Sequence, residues 1–203
     1  MRDSHVPEDS TEVGVKGSIV RAVATAVTEN GLREAVLARV SPAAGMMLVD
    51  PPVATMWLDA RLLNEIYQAI LDLAGADKLR RISRNAVEKG LSPLLRATAE
   101  RVLRIFGASP AALLAKLDRV AGTTARGVVY RYTEINASSG HFDLEFPTLR
   151  DVPVGPFLAT GGALEMVFDM CSVRGTFGEP AYLPNGHHNA MRFTVSWRDV
   201  SRG

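Results

Sequence analysis

A chain of 203 residues fits a single domain large enough to bury its own core without disulfide or metal staples. Its 47% hydrophobic and 22% charged residues are those of an ordinary globule, and the near balance of 23 basic and 22 acidic residues argues against a nucleic-acid binder. The single cysteine, Cys171, excludes an intramolecular disulfide and a thiolate zinc site within one chain, which fits a reducing, cytoplasmic setting.

Residues 1–12, "MRDSHVPEDSTE", are polar and acidic and read as a disordered tail with no signal-peptide core. A single domain is expected over 13–200. Ile19, Val20, Val23 and Val27 recur at helical spacing, and Gly31 suits a C-cap. A short helix is predicted over 33–40, then a loop through "SPAAGMMLVDPPV", broken by Pro42, Gly45, Pro51 and Pro52. Helices follow over 59–74, with Leu62, Leu63, Ile66, Ile70 and Leu73 on one face, and over 77–90, with Leu79, Ile82 and Ala86. Ser92-Pro93 and Ser109-Pro110 each pair an N-cap residue with proline at the first helical position, opening helices to Gly107 and to about Val120.

After Gly122 the period switches to two. "GVVYRYTEI" (127–135) and "HFDLEF" (141–146) read as strands joined by the turn "NASSG". "FLATGGALEMVFDMC" (157–171) reads as a helix whose Gly161-Gly162 pair marks a kink or a close backbone approach. Residues 173–183 and 190–197 form a last hairpin. The predicted class is α+β: an N-terminal helical bundle packed on a four-stranded antiparallel sheet with a ββαββ order. No run of about 18 apolar residues is present, so no membrane insertion is expected.

Several of these stretches resemble a known superfamily: the opening "VKGSIV", the central helices, and the "FLATGGALEMVFDM" helix set between two hairpins. It includes the haem nitric-oxide/oxygen-binding (H-NOX) sensors, the 4-vinyl-reductase-type small-ligand domains and the TRAPP-type vesicle-tethering subunits. In "LLRATAERVLRIFGASPAALLAKL" and the closing "MRFTVSW" the chain looks more closely like a myxobacterial paralogous family of about this length. The resemblance implies an H-NOX/TRAPP-like domain that binds a ligand. In haem-binding relatives a histidine on a central helix ligates iron and a Tyr-x-Ser-x-Arg motif holds the propionates. Here the histidines are His5, His141, His187 and His188, and the nearest motif is "YRYTE" (130–134), with an acid in place of the arginine. No haem, and no other cofactor, is therefore expected.

The remaining chemistry is sparse. His187-His188 follows Asn185-Gly186, a strong turn pair; adjacent strand residues point to opposite faces and do not grip one metal. Cys171 reads as a small buried hydrophobe at a helix C-terminal end, although some vesicle-tethering relatives carry an acyl chain on a cysteine. Arg80, Arg81, Arg84, Arg96, Arg101 and Arg104 read as a solvated face paired with Glu88 and Glu100. Met56, Trp57, Gly161, Gly162, Met166, Phe168, Met170 and Cys171 are the candidate lining of an adaptable apolar pocket. The expected function is a non-catalytic regulatory module for a small apolar ligand or a protein partner, with a homodimer as the expected assembly. The alternatives are a homo-oligomeric scaffold without a cavity and, last, an enzyme using Cys171 or the histidine pair.

Overall fold

A computed structural model describes residues 13–90, 109–184 and 187–199. The expected tail, the helix opening at Ser92-Pro93, the arginines beyond residue 90 and the Asn185-Gly186 pair lie outside the described residues.

Helical and strand periods sort the chain into two halves, as the sequence suggests. The first half holds β1 (Gly14–Lys16), α1 (Gly17–Glu29), α2 (Arg33–Leu37), α3 (Pro42–Val49), β2 (Trp57–Asp59), α4 (Ala60–Ala74) and α5 (Ala76–Gly90). Next come α6 (Pro110–Leu114), α7 (Leu117–Ala121) and β3 (Ala125–Arg126). The second half holds β4 (Val129–Asn136), β5 (Ser139–Glu145), α8 (Val154–Leu164), α9 (Met166–Met170), β6 (Val173–Phe177), β7 (Ala181–Tyr182) and β8 (Ala190–Asp199).

The fold class is α+β, with antiparallel sheets. The main sheet runs β4-β5-β8-β6, with β7 paired to β8, so it has five strands rather than four. The extra strand is two residues long, too short to show a period in sequence. A second sheet, β2-β1-β3, was not expected at all; its strands are two or three residues long. Residues 42–49, read as loop, are helical. The Ser41 hydroxyl accepts from the Ala44 N–H at 3.3 Å and Pro42 occupies the first turn, the same device as Ser109-Pro110.

The main sheet buries one face. Phe142 and Leu144 on β5 sit opposite Phe193 and Met191 on β8, and all four are at most 2% exposed. Phe177 on β6 joins them edge-on, 5.5 Å from Phe142 and 5.7 Å from Phe193. The outer face is polar, with Arg192 paired bidentately to Asp143 at 2.7 Å.

α8 lies between this sheet and the front helices. A Cβ on Gly155 would stand 2.8 Å from the Gln68 backbone of α4, and one on Gly162 would stand 2.5 Å from the Arg80 carbonyl oxygen of α5. Only glycine lets three helix backbones come this close. Gly161 faces the other way, onto the Phe193 ring. Of the two outcomes expected at the glycine pair, the close backbone approach is the one that occurs. The helix breaks at Glu165, between α8 and α9. Buried residues of both halves, from Val20 and Ile66 to Phe157 and Val195, form one contiguous core. Among the described residues no helix is long and apolar enough to cross a membrane.

Candidate functional site

The faces that the helices do not spend on each other line a partly open chamber of about 250 Å³. α4 contributes Ala60, Leu63, Asn64 and Tyr67, which lie on one face because they recur at i, i+3, i+4 and i+7. α8 answers with Pro156, Ala159, Thr160 and Ala163 at the same spacing, and α9 continues the wall with Met166, Val167 and Met170. Leu113, Leu117 and Ala121 of α6 and α7 form a third side. Gly14 and Val15 of β1 and Ala125 of β3 close one end, so the small second sheet exists where it completes the chamber. Tyr130 of β4, with Phe146 just beyond β5, closes the sheet side.

The wall is apolar, and among the described residues it carries no histidine, cysteine, lysine, arginine or carboxylate. Its hydroxyls divide into two kinds. Thr160 donates to the Pro156 carbonyl at 2.9 Å and Thr124 to the Ala121 carbonyl at 3.1 Å. The Tyr67 and Tyr130 hydroxyls make no hydrogen bond among the described residues, and both side chains are partly buried against the core. Burial pushes both phenols well above the ordinary tyrosine range, and the charge of the other tyrosine adds to the effect at Tyr67.

Of the eight residues expected to line a pocket, Met166 and Met170 are on this wall. Gly161 and Gly162 lie on other faces of α8, against Phe193 and Arg80. Phe168 packs into the sheet core, 5.8 Å from Phe177 and directly over Gly175. Cys171 caps α9 and is buried, and burial pushes its thiol up to about 11. Met56 is 49% exposed. Trp57 lies between the Lys16 ammonium, 4.3 Å from its ring centre, and the Arg126 guanidinium at 4.8 Å. The sequence reading missed Tyr67 and Tyr130 as lining residues. Their signal was faint: a tyrosine among the apolar positions of a helix or strand looks like core.

The histidine pair closes a loop. The His187 and His188 carbonyls accept from the Asp151 and Val152 N–H groups, both at 3.1 Å, and the His188 ring lies 4.9 Å from that of Tyr182. Glu179 does not approach them; it accepts from Arg80 at 3.3 Å. Among the described residues no group of three or more His, Cys, Asp or Glu side chains is placed to hold a metal ion.

Arg81 is exposed and Arg84 half-exposed, as the solvated-face reading expects, but Arg80 is not, and Arg80 and Arg84 pair with other carboxylates than Glu88. Arg80 is mostly buried and donates to the Phe177 carbonyl and, at 3.1 Å, to that of Gly178. It also lies 3.7 Å from Glu165, while Arg84 reaches Glu165 and Asp169. Burial pushes the Glu165 carboxyl up from the usual carboxylate range, and the two arginines draw it partway back. This network straps α5 to the break between α8 and α9.

The fold is that of H-NOX domains. The chain superposes on the Fe(II) unliganded H-NOX protein from K. algicida with a TM-score of 0.63 at 10% identity, covering 91% of this chain and 97% of that one. A point mutant of the same protein gives 0.65 with the same identity and coverage. A mutant H-NOX from T. tengcongensis gives 0.56 at 11% identity, over 91% and 98% of the two chains. The sequence matches no protein-family model and no curated protein.

Haem is the group this fold implies, and the described residues of the wall do not fit it. Haem iron takes an imidazole, a thiolate, a phenolate or a thioether. The described wall offers two thioethers and two phenols that burial holds in the neutral form. It offers no cation for the propionates, and Glu134, at the arginine position of "YRYTE", is exposed on β4. Residues 91–108 contain no histidine either.

Proposed function

We propose that this chain is a regulatory module of the H-NOX fold that binds a small apolar ligand without haem, in the chamber between α4, α8–α9 and α6–α7. The observation that carries the reading is the chamber itself: about 250 Å³, largely apolar, and lacking among its described residues the ligating and charge-pairing groups of a haem site. A ligand would act by its differential affinity for two arrangements of α8–α9 against the front helices, since equal affinity shifts nothing. Met166 and Met170 are the proposed adaptable contacts. The module is non-catalytic: Cys171 is buried with a raised thiol, and the histidine pair serves loop closure. We further read the chain as cytoplasmic, on its lone cysteine, and as kin to the myxobacterial paralogous proteins, on "MRFTVSW" and the glycine-rich helix.

The test is native mass spectrometry of the purified full chain together with a haemin titration. The expected result is a retained small organic molecule and no haem absorption band that saturates at one equivalent. Stoichiometric haem with a shifted Soret band would refute the reading.

A second reading has its own observation. Met46, Val49, Val53 and Met56 are each 49–64% exposed along α3 and the segment after it, which favours a protein partner or a homodimer over a free surface. Light scattering of the wild type and of Val53→Lys over a wide concentration range tests it. A mass that stays monomeric for both removes the dimer.

A further inference from the structure

The chamber has a polar feature that an apolar-ligand site does not need. Two phenols, from different elements and from opposite halves of the chain, reach the same cavity with their hydroxyls unpaired among the described residues. A hydroxyl set in a largely apolar wall gains from a partner, because apolar packing does not replace the hydrogen bonds it gives up. The threonines of the same wall follow that rule by bonding their own helix or turn. Asn64 also lies on the wall, but it borders an outer cleft between α4 and the 149–153 segment as well.

Resting on the reading above, we propose that Tyr67 and Tyr130 are the recognition pair of the chamber, and that they select a compact, uncharged ligand bearing one carbonyl oxygen on an apolar body. Each phenol has one proton to donate, and a carbonyl oxygen has two lone pairs to receive them. The ligand is neutral because an ion in this chamber would lose its hydration and meet no counter-charge among the described wall residues. It is small. A chamber of about 250 Å³ falls below the usual range of drug-sized pockets.

Two pairs of shape-matched probes test this, each differing only in C=O against C=CH₂: acetophenone with α-methylstyrene, and cyclohexanone with methylenecyclohexane. NMR titrations of the full chain measure their affinities for the wild type, Tyr67→Phe, Tyr130→Phe and the double variant. The phenylalanine variants delete only oxygens that bond nothing in the described protein, so circular dichroism should be unchanged. The expected result is a ketone preference of roughly tenfold in the wild type, the size of one or two net hydrogen bonds. It should shrink in each single variant and vanish in the double variant, while the hydrocarbon affinities stay put. Equal binding of ketone and hydrocarbon by the wild type, or a preference that survives in the double variant, overturns the proposal and leaves the apolar chamber standing. Benzoate binding as tightly as acetophenone overturns the requirement for a neutral ligand. Failure of all four probes to bind the wild type ends the chamber reading itself.

Discussion

Adding one methyl group at Gly162 and one at Gly161 makes the same chemical change at neighbouring positions of one helix, yet the packing calls for different outcomes. At Gly162 the new Cβ would lie 2.5 Å from the Arg80 carbonyl oxygen and 2.6 Å from its Cα. Carbon contacts settle at about 3.5–4.0 Å, and these partners are backbone atoms that no side-chain rotation moves away. α8 and α5 must therefore separate by about 1 Å, which overpacking studies put at ~1–3 kcal/mol. Alanine returns about 1 kcal/mol of helix propensity. The separation also disturbs the Arg80 bonds to the Phe177 and Gly178 carbonyls, which moves the cost toward the upper end. Gly162→Ala should thus lose about 2 kcal/mol net, a Tm lower by roughly 4–8 °C for a chain of this size. At Gly161 the nearest atoms belong to the Phe193 ring, at 3.0 and 3.4 Å. A ring can yield a few tenths of an ångström, so Gly161→Ala should fall within about 1 kcal/mol of the wild type once propensity is counted. Urea unfolding followed by circular dichroism reads both values, with equal m-values as the check on two-state behaviour. A Gly162→Ala protein as stable as Gly161→Ala would refute the close approach of α8 to α5.

All four tyrosines are held above the ordinary phenol range, burial being the first cause at each. Their neutral forms therefore favour the folded state up to about pH 10. Above it each enclosed phenol removes up to ~1.4 kcal/mol per pH unit as the unfolded chain ionises first. Tyrosinate absorbance should consequently appear together with loss of circular dichroism, and ordinary reversible titration of all four with the fold intact would contradict this. Cys171, with its thiol pushed up to about 11, should resist Ellman's reagent near pH 8 until urea is added; rapid native labelling would show that it is not buried as described. Arg80→Met leaves two carbonyls and Glu165 without their donor and should cost ~2–3 kcal/mol in urea unfolding. Glu165→Gln in the same background should recover part of that loss, and an Arg80→Met protein of unchanged stability would remove the strap.

α4 and α5 were legible because each presents a single apolar stripe at helical spacing, and β5 and β8 because Phe142, Leu144, Phe193 and Val195 alternate with polar neighbours. α3 escaped because "PAAGMMLV" is apolar all round and contains Gly45, so it shows no stripe, although Ser41-Pro42 announced its start. β1, β2 and β3 escaped because two or three residues hold no period; their pairing is dictated by the distant partners they meet. Arg81 is exposed as read, but Arg80 is not, because a sequence shows that charges share a helix face and not that a second element covers part of it. The chamber was legible only through Met166 and Met170. Its phenols depend on which way α4 and β4 face after packing, and that is a property of the assembled fold.

The glycine contacts also decide which parts of the chamber can give. Where backbone lies on backbone at Gly155 and Gly162, no compliant side chains separate α4, α5 and α8, and the three behave as a slab. α6 and α7, five residues each, meet the chamber through Leu113 and Leu117 alone among their leucines. An occupant that swells the space therefore pushes outward on these short helices. Asp118 of α7 accepts the Tyr130 N–H at 3.0 Å, so the displacement is handed to β4, the rim strand of the main sheet, and surfaces at the molecule's edge.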